Sequence, residues 1–293
     1  FILFIACTGC ATFKQDEYVV VRDDEKTSKV KADELITREE YQRVDLYAML
    51  STNIYQSHLS ANTNTITDYC ENESRLGQVG NWEKISANAL LTEPEGQWFV
   101  PGLEYEVWGP INGTEEKEVV IVFRGTDFTT FGDWYSNLRW LTRFIPLTWD
   151  QYDQVRDVTL ALVESIKDQF GSDVRIIATG HSLGGGLAQQ AGYMSADIDK
   201  VYAFAPSPVT GFYSVAREDR KKNKQGMDIY RIYEHGEVLA YLRLIMKMVY
   251  PVKKVDPKIT EVRYDVMSEG HIIKQHGMKR FACELHKIAS RQD

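Results

Sequence analysis

Residues 175–195 read RIIATGHSLGGGLAQQAGYMS, and they combine the patterns of a strand, a tight turn and a helix. Their apolar, β-branched beginning, residues 175–179, predicts a buried strand, and residues 183–195 predict a helix. The glycines between the two indicate a tight turn. A strand that passes directly into a helix is typical of proteins in which parallel strands and helices alternate.

Strand and helix patterns also alternate on both sides of this stretch. Continuous apolar runs predict strands buried on both faces, and apolar residues that recur every three to four positions predict helices. The predicted strands cover residues 104–108, 117–123, 201–205, 229–233 and 261–266, and the predicted helices cover 37–57, 150–170 and 274–289. The chain therefore predicts a three-layer α/β fold with a mainly parallel central sheet between two layers of helices.

The composition excludes several classes of protein. The 293 residues are 43% hydrophobic and 26% charged, which is ordinary for a globular protein and excludes a disordered or coiled-coil chain. Basic residues number 34 and acidic residues 42, so the net charge of −8 argues against a nucleic-acid partner. Metal-ligand spacing and a phosphate-binding loop are both lacking, so the sequence predicts neither a metal nor a cofactor.

The first ten residues, FILFIACTGC, resemble the end of a secretory signal peptide followed by a bacterial lipobox. Cys10 is the predicted site of lipid attachment and Cys7 is the alternative, and an apolar terminus without a targeting role also stays open. Residues 11–36 are polar and predict a tether, whereas residues 37–293 predict a single domain. The expected location is the bacterial cell envelope, anchored to the membrane on the periplasmic side, or outside the cell.

Two further cysteines, Cys70 and Cys283, would remain after processing at Cys10. They form either a disulfide in an oxidising compartment or a pair of buried free thiols. The sequence leaves both possibilities open.

The turn between the predicted strand and helix carries the pattern G-x-S-x-G over residues 180–184. The short motif is weak alone, but its position between a strand and a helix is what a nucleophile elbow requires. Such a turn strains the serine backbone and directs the N–H groups of the helix N-terminus at developing negative charge. Ser182 is therefore the candidate nucleophile and the Leu183 N–H a candidate oxyanion donor; the alternative is a passive serine in a glycine-rich turn.

Three motifs that follow one another along the chain resemble those of the class 3 lipases: FRGT at residues 123–126, DWYSNL at 133–138, and G-x-S-x-G. The resemblance extends over about residues 98–280. It implies an α/β-hydrolase fold and the cleavage of carboxylic esters of lipids. It also implies an oxyanion-hole residue at Thr126 and a lid over residues 128–138.

A nucleophilic serine needs a base, and in α/β-hydrolases the catalytic residues follow the chain order serine, acid, histidine. His276 is the predicted base because it lies in a loop just before the last predicted helix, where the resemblance places the catalytic histidine. His271 is the alternative.

The acid is expected in the loop after the strand predicted at residues 229–233. The class 3 lipases carry Asp there, and Glu237 occupies the matching position with the same charge. Glu serves as the acid elsewhere in this superfamily. Asp228 is an alternative that precedes the strand, at the wrong end of the sheet, and Glu234 is a weaker alternative.

These residues predict a serine ester hydrolase that acts on lipid carboxylic esters, as a triacylglycerol lipase or a phospholipase A, through an acyl-enzyme. The expected partners are the lipid substrate and a membrane surface reached through the anchor at Cys10. Two alternatives stay open: a short-chain carboxylesterase or thioesterase, and a non-catalytic envelope lipoprotein that uses the hydrolase fold for binding.

Overall fold

The computed structural model describes residues 18–23, 26–31, 43–85, 103–111, 117–125, 151–207, 209–235, 252, 255–267 and 277–290. The described strands are β1 (Tyr18–Asp23), β2 (Lys26–Lys31), β3 (Gln78–Val79), β4 (Trp82–Ile85), β5 (Tyr105–Pro110), β6 (Glu118–Phe123), β7 (Arg175–His181), β8 (Ile198–Phe204), β9 (Asp228–Glu234) and β10 (Lys258–Tyr264). The described α-helices are α1 (Val44–Asn53), α2 (Ile66–Glu71), α3 (Gln151–Phe170), α4 (Leu183–Met194), α5 (Arg217–Asn223) and α6 (Met278–Ala289). Short 3-10 helices cover Ile54–Gln56 and Phe212–Ser214.

The strands form one ten-stranded sheet in the order β2-β1-β10-β9-β8-β7-β6-β5-β4-β3. Its centre consists of parallel strands, from β6 to β10. The strands at both ends of the sheet pair antiparallel. The predicted α/β fold with a mainly parallel sheet is confirmed. The antiparallel pairs β1–β2, β3–β4 and β5–β6 join consecutive strands through connections that are shorter than the crossover of a dozen or more residues that a parallel pair needs.

The central strands are buried on both faces, which explains their continuous apolar sequences. In β6, Val120 and Val122 belong to the hydrophobic core on one face of the sheet. Val119, Ile121 and Phe123 belong to the core on the other face. Successive side chains of a strand point to opposite faces, so both sets must be apolar when helices cover both sides.

Helices cover each face of the sheet. α1 and α6 supply residues to one core, and α3 and α4 supply residues to the other. In α3, Val155, Val158, Leu162 and Ile166 form the buried stripe, and they recur at intervals of three and four residues. The helix–sheet–helix arrangement is the predicted three-layer architecture.

The tether predicted for residues 11–36 is wrong where the structure describes that segment. β1 and β2 pair antiparallel, and β1 continues the sheet by pairing antiparallel with β10. Val19 is fully buried in the core. The short run of valines at residues 19–21 is therefore the start of a strand that pairs with the edge of β10, which would otherwise expose unpaired backbone groups. The folded domain begins before residue 37.

A disulfide joins Cys70 in α2 to Cys283 in α6, with an S–S distance of 2.01 Å. The sequence left a disulfide and free thiols open, and the structure contains the disulfide. The two cysteines are 213 positions apart in the chain. The bond therefore fastens the last described helix to α2, which lies more than 200 positions earlier in the chain.

The carboxyl ends of the parallel strands meet at one edge of the sheet. Gly125 follows the end of β6, Ser182 follows the end of β7, and Glu234 is the last residue of β9. α/β proteins bind their ligands outside the carboxyl ends of the strands. The candidate site is therefore expected at this edge.

Candidate active site

Ser182 lies in the turn between β7 and α4 with φ 58° and ψ −121°. This conformation costs a residue other than glycine about 1–3 kcal/mol. The Ser182 N–H donates to the Phe204 carbonyl at 2.9 Å, and the Ser182 carbonyl accepts from the Ser207 N–H at 2.9 Å. The Ser182 side chain does not cap α4, although it occupies the N-cap position. The backbone is thus held in a strained turn, and the hydroxyl is left for another use.

Glycines allow the end of β6 to pack against this turn. A Cβ atom at Gly180 would lie 2.5 Å from the carbonyl carbon of Gly184. A Cβ atom at Gly184 would overlap the carbonyl oxygen of Phe123 and lie 2.9 Å from the Gly125 nitrogen. A larger residue at either position would push the two backbones apart. This requirement explains the outer glycines of the G-x-S-x-G motif.

Gly125 touches the same turn from the other side. A Cβ atom there would overlap the carbonyl oxygen of His181 and lie 2.6 Å from the Tyr55 hydroxyl. The exit from β6 therefore lies against the N-terminus of α4, where the Leu183 N–H has no acceptor within the helix. Two backbone segments in this arrangement can present N–H groups to an oxyanion. Thr126, the residue after Gly125, lies outside the described residues.

Tyr55 is a neighbour of the turn that reasoning from the sequence missed. Its hydroxyl lies 3.0 Å from His181 Nδ1, and the two rings meet edge-on with centroids 5.7 Å apart. The Arg124 guanidinium lies 5.7 Å from the centre of the Tyr55 ring and pairs with Glu104. Tyr55 and His181 are 126 positions apart. Only their contact in the folded chain reveals the relationship, and no local pattern signals it.

The structure describes two of the three acid candidates, Asp228 and Glu234. Asp228 is the first residue of β9, and its carboxylate lies 3.9 Å from Lys200 Nζ at the amino-terminal edge of the sheet. The expectation that Asp228 lies at the wrong end is confirmed. Glu237 lies outside the described residues, three positions after the end of β9.

Glu234 ends β9 at the same edge as Ser182, and its side chain is 3% exposed. Its Oε1 accepts hydrogen bonds from the backbone N–H groups of Val266 and Met267, each at 2.9 Å. Burial, with Asp265 nearby, raises the pKa of the Glu234 carboxyl to about 8. The surroundings of the group therefore favour its neutral form.

The base candidates His276 and His271 lie outside the described residues. His286, a histidine of α6, has its Nδ1 3.4 Å from a carboxylate oxygen of Asp45. His235 directly follows β9 and donates its backbone N–H to the Tyr264 carbonyl at 2.8 Å. Neither fits the role of the base, because His235 comes too early in the chain for an acid to precede it and His286 lies within α6.

The predicted lid at residues 128–138 and the predicted anchors Cys10 and Cys7 also lie outside the described residues. Within the described part of the chain, no group of three or more His, Cys, Asp and Glu side chains could hold a metal ion. No helix described in the structure is long and apolar enough to cross a membrane.

Solved structures similar to this chain include lipases and an esterase. The lipase from Rhizopus microsporus var. chinensis is 15% identical and covers 70% of each chain, with a TM-score of 0.42. The LIP2 lipase from Yarrowia lipolytica is 18% identical over 68% of this chain and 73% of its own, with a TM-score of 0.43. The esterase from Pyrobaculum calidifontis is 12% identical over 86% of this chain and 92% of its own, with a TM-score of 0.39. No curated protein matches the chain significantly.

The comparison with protein families is more specific. The model of the Tle-like phospholipase domain matches residues 46–250, more than two thirds of the chain. The matched region contains the Ser182 turn, the exit from β6 and the loop after β9. The lipase resemblance seen in the motifs is confirmed by this match. The chain therefore belongs to the family of Tle-like phospholipase domains and is a carboxylic ester hydrolase with the α/β-hydrolase fold.

Proposed function

We propose that this protein is a serine hydrolase that cleaves fatty-acyl esters of membrane phospholipids. The observation that carries the proposal is Ser182, whose hydroxyl stands on a strained turn at the carboxyl edge of a parallel sheet without capping the helix that follows. The family match supports a lipid ester as the substrate. The packing of Gly125 against the N-terminus of α4 supports an oxyanion hole beside the serine.

In the first half of the proposed reaction, Ser182 Oγ attacks the ester carbonyl carbon and its proton passes to His276. Glu237 orients the histidine and stabilises the imidazolium. The N–H groups of Leu183 and Thr126 hold the oxyanion, and one such donor contributes about 10²- to 10³-fold in rate. When the tetrahedral intermediate collapses, the C–O bond breaks and the lysophospholipid alcohol leaves with the proton from His276.

In the second half, water attacks the acyl-enzyme and gives its proton to His276. The bond between Ser182 Oγ and the acyl carbon breaks, the proton returns to the serine, and the fatty acid is released. The net reaction consumes one water per ester, and it needs no external oxidant or reductant.

A fluorophosphonate probe tests the serine assignment. We expect the full chain to gain one covalent adduct at Ser182 and Ser182→Ala to gain none. Ser195→Ala is the matched control, because Ser195 is also buried but follows the other end of α4. Labelling that survives in Ser182→Ala would refute the assignment.

Product analysis tests the substrate class. Vesicles of phosphatidylethanolamine and phosphatidylglycerol are compared with a triacylglycerol emulsion and with p-nitrophenyl acetate, using wild type and Ser182→Ala. We expect Ser182-dependent release of fatty acid and lysophospholipid from the vesicles. Turnover confined to the acetate ester would overturn the phospholipid assignment in favour of a short-chain esterase.

We propose in addition that a lipid anchor at Cys10 holds the enzyme at the bacterial envelope membrane. The lipobox-like sequence supports this, and anchoring would raise the local concentration of lipid substrate. Labelled palmitate should enter the full-length protein and its Cys7→Ala variant but not Cys10→Ala. Incorporation that is unchanged in Cys10→Ala would contradict the anchor.

A further inference from the structure

One buried side chain fastens two strand ends together at the site edge. Glu234 is the last residue of β9, and its Oε1 accepts the N–H groups of Val266 and Met267, both of which follow the end of β10. The backbone bond from His235 to Tyr264 joins the same two strand ends. The Glu234 side chain thus extends the contact between β9 and β10 beyond their backbone pairing.

The surroundings of this carboxyl group favour its neutral form. Glu234 is 3% exposed, and its Oε2 finds no hydrogen-bond partner among the residues that the structure describes. Among the residues that the structure describes, the charged groups that act on it are Asp265, in the segment after β10, and Arg280, in α6. Burial and Asp265 raise the pKa to about 8, against the opposing effects of the two N–H donors and Arg280.

The two fastened strand ends lead into the segments that carry the predicted acid and base. Glu237 comes three positions after Glu234, and His276 lies between Met267 and the start of α6. Met267 is buried beside the Glu234 contact, and α6 is fixed by its apolar face and by the disulfide. The hydrogen bonds of Glu234 therefore hold the start of the segment that contains His276 beside the end of β9, where the segment that contains Glu237 begins.

We propose that Glu234 is a positioning residue, which clamps the segment after β10 to the end of β9 and so sets the relative placement of Glu237 and His276. This inference rests on the proposed serine hydrolase function. The clamp needs an uncharged acceptor oxygen for the two backbone N–H groups, because a charge buried beside Asp265 is unfavourable. It does not need a negative charge, which distinguishes it from a triad acid.

Two variants of Glu234 separate the role of its acceptor oxygen from the role of its charge. Glu234→Gln keeps a carbonyl oxygen for both N–H donors, whereas Glu234→Ala removes it. We expect Glu234→Ala to lower kcat on p-nitrophenyl butyrate by about 10- to 100-fold with little change in KM, because a displacement of about 1 Å costs a rate of that order. We expect Glu234→Gln to restore kcat at pH 7 to within about threefold of wild type. Glu261→Gln, a buried glutamate of β10, is the matched control and should retain activity.

The pH profile adds a readout that loss of packing alone would not change. When Glu234 ionises, a buried charge appears beside Asp265 and disturbs the clamp. Wild-type kcat should therefore fall above about pH 8, and Glu234→Gln should keep its activity to higher pH.

Three results would overturn the clamp. A loss of about 10³-fold or more in Glu234→Gln would show that Glu234 needs its charge and acts as the triad acid. Unchanged kcat in Glu234→Ala would show that it positions nothing. If kcat decreased above about pH 8 in the same way in wild type and in Glu234→Gln, the neutral form of Glu234 would not be required. Ser182→Ala is measured alongside: hydrolysis independent of Ser182 refutes the proposed function itself, and the three results above refute only the clamp.

Discussion

Removing the disulfide between Cys70 and Cys283 is expected to lower the free energy of unfolding by several kcal/mol. The bond closes a loop of 213 residues. In the chain-entropy model such a loop removes about 18 cal/mol/K from the unfolded chain, or about 5 kcal/mol at 25 °C. Measured disulfides contribute about 2–4 kcal/mol, in part because unfolded chains retain structure. At about 2.1 cal/mol/K of unfolding entropy per residue, the model value of about 5 kcal/mol corresponds to a decrease in Tm of about 8 °C.

Calorimetry of wild type and the double variant Cys70→Ala/Cys283→Ala measures this effect. Reductant should lower the Tm of wild type towards that of the double variant and leave the double variant unchanged. Peptide mapping after alkylation shows whether the two thiols are blocked before reduction. A wild-type Tm that stays constant while both thiols become reactive would refute the loop-entropy reasoning. Thiols that react without reductant would refute the bond itself.

Three further changes test the packing around the sheet. Gly184→Ala places a Cβ against the Phe123 carbonyl, so it should cost about 1–3 kcal/mol in urea unfolding and abolish ester hydrolysis. Tyr47→Phe removes the hydroxyl that donates to buried Glu118 at 2.7 Å, and the same assay should show a loss of about 1.5–3 kcal/mol. The raised pKa of Glu234 makes wild type lose stability as the pH rises from about 4.5 to about 8. Urea unfolding at several pH values should show that Glu234→Gln loses less stability over this pH range than wild type, because glutamine does not ionise.

Local sequence patterns were sufficient to predict the central strands of the sheet. Residues 119–123 are apolar without interruption because helices cover both faces of β6, and this double burial is what the sequence pattern indicates. The run of valines at residues 19–21 was too short for the same inference, and the charged residues after it suggested a tether. β1 is a strand because β10 offers it a pairing edge, and no local pattern signals that edge.

Some residues of the candidate site could likewise be predicted from local sequence patterns, and others could not. Ser182 and its flanking glycines were found from the sequence because the turn imposes strict local requirements. The contact of Tyr55 with His181 and the burial of Glu234 were not found, because both depend on residues distant in the chain. A glutamate in a loop sequence resembles a solvated carboxylate. It becomes a neutral clamp only when the end of β10 covers it.

The strained backbone of Ser182 is itself an argument that its hydroxyl is functional. Glycine adopts a positive φ more readily, and glycine already occupies positions 180 and 184–186 around it. Ser182→Gly should relieve about 1–3 kcal/mol of strain and lose up to about 1 kcal/mol through the freer unfolded chain. We therefore expect the glycine variant to gain about 1 kcal/mol in urea unfolding while hydrolysis disappears. Ser182→Ala keeps the strain, so it should be equally inactive with a stability close to that of wild type. A glycine variant less stable than the alanine variant would show that the conformation is not strained, and the structural argument for a functional serine would fail.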